Sequence, residues 1–165
     1  MRPRPASIEI HNECPKALCL PQAEVTRNAR RILRKAGFAR EGLSLLLVGD
    51  RRMRTLNRRF LKHDWTTDVI TFGYKDPVCA GQSPVTSARS REREVPVYAG
   101  EIIISVETAK KMAVELGHSA RYEFYFYLCH GILHLAGYDD DTPRKRAAML
   151  KRQEGILKRI GISKK

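Results

Sequence analysis

Cysteine, acidic side chains and long apolar runs are all scarce in this chain, and each shortage narrows what it can be. Its four cysteines, Cys14, Cys19, Cys79 and Cys129, form no C-x-x-C pair. A chain of 165 residues can build a hydrophobic core without a disulfide framework, so they are read as reduced thiols. No apolar run approaches the roughly 20 residues that a membrane helix needs. The opening "MRPRPASIEIHNECP" is basic, with neither an apolar segment nor a small-residue cleavage site. A secretory leader is therefore not expected, and a cytoplasmic location is. Acids are outnumbered: eighteen Asp and Glu stand against thirty-one Lys and Arg, a net charge of +13. Such a field attracts polyanions. It is steepest from Pro143 to Lys165, where nine basic residues face one acid, Glu154.

The composition, 42% hydrophobic and 30% charged, is that of a globular protein rather than a disordered one. "ASIEIHN" alternates as a short strand does, and "GLSLLLVGD" is a continuous apolar run suited to a buried strand. Between them, Val25, Ala29, Ile32, Leu33 and Ala36 recur at helical spacing and stop at Gly37. Asp50 is expected to cap a second helix with Met53, Leu56 and Phe60 on its inner face. "TTDVITFGY" and "AGEIIIS" read as further strands. The 75–99 segment between them has prolines, serines and mixed charges without a period, and is read as a long excursion. Ser105, Ser119 and the Thr142–Pro143 pair open three more helices, the last a basic helix over about 143–160. The whole, residues 1–165, is expected to be one α+β domain. A small mixed sheet of about four strands would pack with about five helices.

The stretch "HGILHLAGYDDD" carries the chemistry. Four helical steps leave His130 and His134 about 40° apart in direction and about 6 Å apart along the axis, so both imidazoles can reach one zinc ion. Gly137 tolerates the left-handed conformation that ends a helix. The chain can then double back and present Asp140 as a third ligand, with Asp139 and Asp141 as alternatives. This is the spacing of the metzincin peptidases, with aspartate in place of their last histidine. Zinc peptidases of the H-E-x-x-H type use the glutamate after the first histidine as general base. Gly131 stands there and cannot take a proton. Cys129, one helical step from His130, points elsewhere and reads as core.

"LCHGILHLAGYDD" resembles the H-G-x-L-H-L-x-G-Y-D-H signature of the YbeY-type metallo-endoribonucleases. "LNRRF…TTDVITF" and "AGEIIIS" resemble that family's L-N…T-D-V-L-S-F segment and G-D-I-x-I-S strand. The resemblance runs from about Leu43 to the last helix. It implies a zinc-dependent, single-strand-specific endoribonuclease with one zinc ion per chain, held by His130, His134 and Asp140 on a central helix. Its expected partner is RNA, either 16S ribosomal RNA during 3′-end maturation or the small ribosomal subunit in late quality control.

Two positions depart from the family pattern. Aspartate occupies position 140, where relatives usually carry histidine. Leu61 stands where many carry an arginine thought to act in cleavage. Arg58, Arg59 and Lys62 are the candidates to contact RNA in its stead, and Arg59 and Glu101 are the candidate catalytic groups. Thr67 and Asp68 are candidates for the cleft wall. Two alternatives stay open beside the nuclease: an RNA-binding ribosome factor with a non-catalytic metal, and a metzincin-like peptidase. Ferrous iron would also suit two histidines and a carboxylate.

Overall fold

Two strands of this chain are apolar on both faces, and a sheet built around them needs cover on both sides. The computed structural model describes residues 6–14, 20–38, 41–74 and 98–165 and provides that cover. The strands are β1 (Ile8–Asn12), β2 (Gly42–Val48), β3 (Val69–Gly73) and β4 (Tyr98–Ser105). The helices among the described residues are α1 (Gln22–Ala36), α2 (Asp50–Leu61), α3 (Val106–Leu116), α4 (Ala120–Leu135) and α5 (Pro143–Arg159). The sheet order is β1-β2-β4-β3, with β3 the one antiparallel strand. This is the single α+β domain with a small mixed sheet expected from the sequence.

Alternation along the central strands divides the core in two. Leu43, Leu45, Leu47, Ile102 and Ile104 join the larger cluster, with α1, α4 and α5. Val48, Ile70 and Ile103 join a smaller one with Met53 and Leu56 of α2. Each fully buried leucine or isoleucine contributes roughly 1.5–3 kcal/mol, so the helix-rich side dominates stability. α4 lies at its centre and is buried nearly all round, from Tyr122 to Leu133. A helix apolar on every side belongs inside a domain.

The helix ends follow local chemistry. Ser105, Ser119 and Thr142 accept from the backbone N–H groups of Thr108, Tyr122 and Lys145. Gly37 and Gly117 close α1 and α3 with positive φ. Asp50 behaves differently from expectation. Gly49 holds the cap position, and the Asp50 N–H donates to Glu107 Oε2 at 2.7 Å. The Asp50 carboxylate instead accepts from Ser105 Oγ at 2.5 Å and Thr108 Oγ1 at 2.6 Å. It thereby ties α2 to the start of α3. Phe60 is also less inward than its spacing suggests: it is 40% exposed, and Asn57 is buried in α2 instead. β4 begins one residue earlier than expected, at Tyr98. The rest of the expected 75–99 excursion, residues 75–97, lies outside the described residues. Among the described residues no helix is long and apolar enough to cross a membrane.

Candidate metal centre

α4 carries His130 and His134 on one side near its C-terminal end. Gly137, at φ 90°, turns the chain back across that side. The turn brings Asp140 into place: its carboxylate oxygens lie 3.7 Å from His130 Nε2 and 3.9 Å from His134 Nε2. The two Nε2 atoms are 3.0 Å apart. Ligands about 2.05 Å from a tetrahedral zinc ion sit about 3.3 Å from one another. The three donor atoms therefore form a cluster of the right size for one metal ion.

The protons point the same way. The Gly137 turn sets the Tyr138 carbonyl 3.0 Å from His134 Nδ1. An oxygen there accepts only from a protonated Nδ1, which leaves the Nε2 lone pair free. His130 Nδ1 lies 3.3 Å from Gln153 Oε1, and Gln153 Nε2 donates to the Phe126 carbonyl at 2.8 Å. That second bond fixes the amide with its oxygen toward the ring, so His130 Nδ1 is also a donor. Two Nε2 lone pairs then face each other at 3.0 Å. The arrangement is repulsive unless a proton or a metal ion lies between them, and in metal sites such outer hydrogen bonds select the ligating tautomer. Burial, and then the neighbouring His134, holds the His130 pKa below the ordinary imidazole value. Both effects favour the neutral ligand form.

The other acids of the turn are engaged elsewhere. Asp139 accepts from the Asp140 N–H at 2.8 Å and from Lys145 Nζ at 3.1 Å, and Asp141 pairs with the same lysine at 2.9 Å. Cys129 is fully buried in the main core, and that burial pushes its thiol up to about 12. Gly131 faces the sheet. A Cβ there would lie 2.9 Å from both Ile102 Cδ1 and Thr71 Oγ1. Even a methyl there would have to displace Ile102 and Thr71, so packing as well as chemistry disfavours a glutamate at this position.

The histidines open into a cleft of about 600 Å³ between the end of α4, β3 and the end of α2. Leu61, Thr67, Asp68, Thr71 and Tyr98 are among its walls. Thr67 and Asp68 are thus brought to the site; Asp68 Oδ1 accepts from the Val69 N–H at 2.9 Å and Thr67 Oγ1 at 3.1 Å. Among the described residues that line the cleft there is no lysine or arginine. Arg58 lines a separate concavity with Arg51, Arg54 and Asp64. The Arg59 guanidinium lies over the Phe60 ring at 5.4 Å, and Lys62 ends α2 in the left-handed conformation, φ 58°. Glu101 shares the strand parity of Ile103 and so points to the α2 side of the sheet, away from the histidines. Burial raises its pKa, and the nearby His11 partly offsets that rise.

Gln153 escaped the sequence reading. Its signal was a polar residue between Met149 and Ile156 on the buried stripe of α5.

The family model described as "Endoribonuclease YbeY" matches residues 9–161. A Synechocystis protein named "Endoribonuclease YbeY" is 41% identical over 119 residues, 72% of this chain and 63% of its own length. One of the same name from Leptospira interrogans is 41% identical over 114 residues, 68% of this chain and 81% of that one. A solution structure from Thermotoga maritima superposes with a TM-score of 0.54 at 24% identity, covering 93% of this chain and 91% of that one. At that identity the likeness concerns the fold.

Proposed function

The chain belongs to the endoribonuclease YbeY family, and from that premise we propose that it is a zinc-dependent endoribonuclease cutting single-stranded RNA. Its place would be the maturation of the 16S ribosomal RNA 3′ end and late ribosome quality control. The observation that carries the metal part is the pair of facing imidazole nitrogens with a carboxylate less than 4 Å from each.

In this reading His130, His134 and Asp140 hold one zinc ion. Zinc there supplies Lewis-acid polarisation of a phosphoryl oxygen. Gln153 and the Tyr138 carbonyl keep the two rings in the ligating tautomer. Asp140 brings a negative charge, leaving the site less positive than three histidines would. Asp68 lines the cleft, so it is better sited than Glu101 to accept a proton from a nucleophile. The +13 net charge attracts the strand from solution. Neither Arg59 nor the other basic candidates line the described cleft wall, so their contribution to RNA binding would come from the rim. A peptidase reading has no support from position 131. A second reading does have an observation behind it. Leu61 lines the cleft in place of a cation, which suits an RNA-binding ribosome factor with a non-catalytic metal.

The test uses purified protein and a His134→Ala variant, assayed for bound metal and for cleavage of labelled single-stranded RNA. We expect about one zinc per chain, with cleavage lost on chelation and in the variant. Equal metal content in both proteins would sink the site assignment. Metal without cleavage in the unaltered protein would favour the second reading.

A further inference from the structure

The α2–β3 loop holds an exposed aromatic surface that the metal centre does not use. Trp65, the chain's one tryptophan, is 58% exposed. Its indole stacks on the His63 ring with centroids 4.3 Å apart and planes 27° from parallel. The loop around it is pinned. The buried Asn57 donates from Nδ2 to the Trp65 carbonyl at 2.7 Å. Asp64 receives both arms of Arg54, at 3.0 and 3.2 Å. A large aromatic side chain is therefore held toward solvent by backbone and side-chain anchors on both sides of it.

Its setting selects the partner. Arg51, Arg54 and Arg58 line a concavity of about 490 Å³ that runs along the loop to Thr66. Asp50 and Asp64 line it too, and Asp64 pairs with Arg54, so Arg51 and Arg58 are the arginines left for phosphates. The next residue, Thr67, and the α2 residue Leu61 line the histidine cleft. The loop is thus a ridge between an arginine-lined hollow and the metal centre. His63 backs one face of the indole, and Trp65 is still exposed enough to meet a flat ligand. A base stacked on an aromatic ring, with its phosphates near arginines, is how single-stranded nucleic acid is held without regard to sequence.

We propose that the Trp65–His63 stack, beside the hollow lined by Arg51 and Arg58, docks an unpaired base of single-stranded RNA and leads the strand into the histidine cleft. This rests on the endoribonuclease reading and adds to it a subsite that selects unpaired over paired bases, because a base inside a duplex has no free face. The site needs no metal.

The single tryptophan makes the test direct. A short single-stranded 2′-O-methyl RNA is titrated into the metal-loaded protein while tryptophan emission and strand anisotropy are followed together. Binding should quench the emission, and an abasic strand of equal length should bind without quenching. Trp65→Ala should weaken RNA binding about tenfold with an unchanged salt dependence, and Trp65→Phe should restore most of it. RNA that binds the unaltered protein and Trp65→Ala equally, with emission unchanged, overturns the inference and leaves the nuclease reading standing. Quenching by the abasic strand also overturns it, since that reports phosphate contact alone. No binding by the unaltered protein would bring down both. Quenching by a protein partner and not by RNA would give the surface to that partner and likewise end the inference.

Discussion

Gln153→Met tests the argument that a buried amide sets the metal affinity. Gln153 is 1% exposed, and both ends of its amide are engaged, with His130 Nδ1 and the Phe126 carbonyl. Methionine fills similar space, but its thioether is only a weak acceptor for the Nδ1–H. His130 can then carry its proton on Nε2 and donate it to His134 Nε2, 3.0 Å away, which occupies the atom a metal needs. Loss of such an outer partner typically costs 10–100-fold in metal affinity, or about 1.4–2.8 kcal/mol. At free zinc 100 times the unaltered protein's Kd, zinc stabilises that protein by about 2.7 kcal/mol, and the variant by only about 0.4–1.4 kcal/mol. The metal-free proteins should differ by about 2 kcal/mol, from the two neutral hydrogen bonds that Gln153 makes at about 1 kcal/mol each. Zinc affinity is read by competition with a chromophoric chelator, and stability by urea unfolding with and without zinc. A folded variant with zinc affinity within about twofold of the original would refute the tautomer argument, because the predicted loss starts at about tenfold.

Three further perturbations bear on the same region. Gly131→Ala gains up to about 1 kcal/mol of helix propensity, but its methyl would sit 2.9 Å from Ile102 Cδ1, an overpacking that costs about 1–3 kcal/mol. Denaturant unfolding should show a net loss of about 0–2 kcal/mol, and a more stable variant would contradict the packing. Leu61→Arg places a cation in the cleft at a position 44% exposed. RNA binding should gain salt dependence, with the log–log slope steepening by about 0.7 for one added phosphate contact, and the cleavage rate should rise; an unchanged slope would mean the side chain does not meet the strand. The lowered His130 pKa fixes a sign for pH. The unfolded chain binds more protons than the folded one between the ordinary imidazole value and the lowered one. Stability is therefore complete above about 6.5 and falls as pH drops through that window. Unfolding of the metal-free protein from neutral to mildly acid pH should show this, with a shallower slope in His130→Asn; identical slopes would place the pH dependence elsewhere.

What the chain states locally was readable before folding. The 130/134 spacing, the Gly137 turn, the serine and threonine caps and the apolar runs of β2 and β4 depend on neighbours within a few residues, and helical and strand periods report them. Spacing favoured Asp140 but left Asp139 and Asp141 open; the structure groups Asp140 with the two histidines and engages the other two acids with Lys145. Facts that depend on which elements meet were not readable. Glu101 sits on the wrong face because its parity matches Ile103 and because α4 covers the opposite face, and a strand's pattern alone does not say which helix lies over which side. Asp50 links two helices instead of capping one, through partners 55 and 58 residues away. Gly131 could be read as an absent base, but the crowding that a side chain would meet there appears only where α4 meets Ile102 and Thr71. Gln153, 23 residues beyond His130, shows locally only as a polar residue on a buried stripe, and nothing near it in the chain says which ring it meets. The sequence alone determined which residues could hold a metal, since short-range geometry is written in helical spacing. Tertiary packing decided how their protons are arranged and which charges share their cleft, because those depend on contacts between residues far apart in the chain.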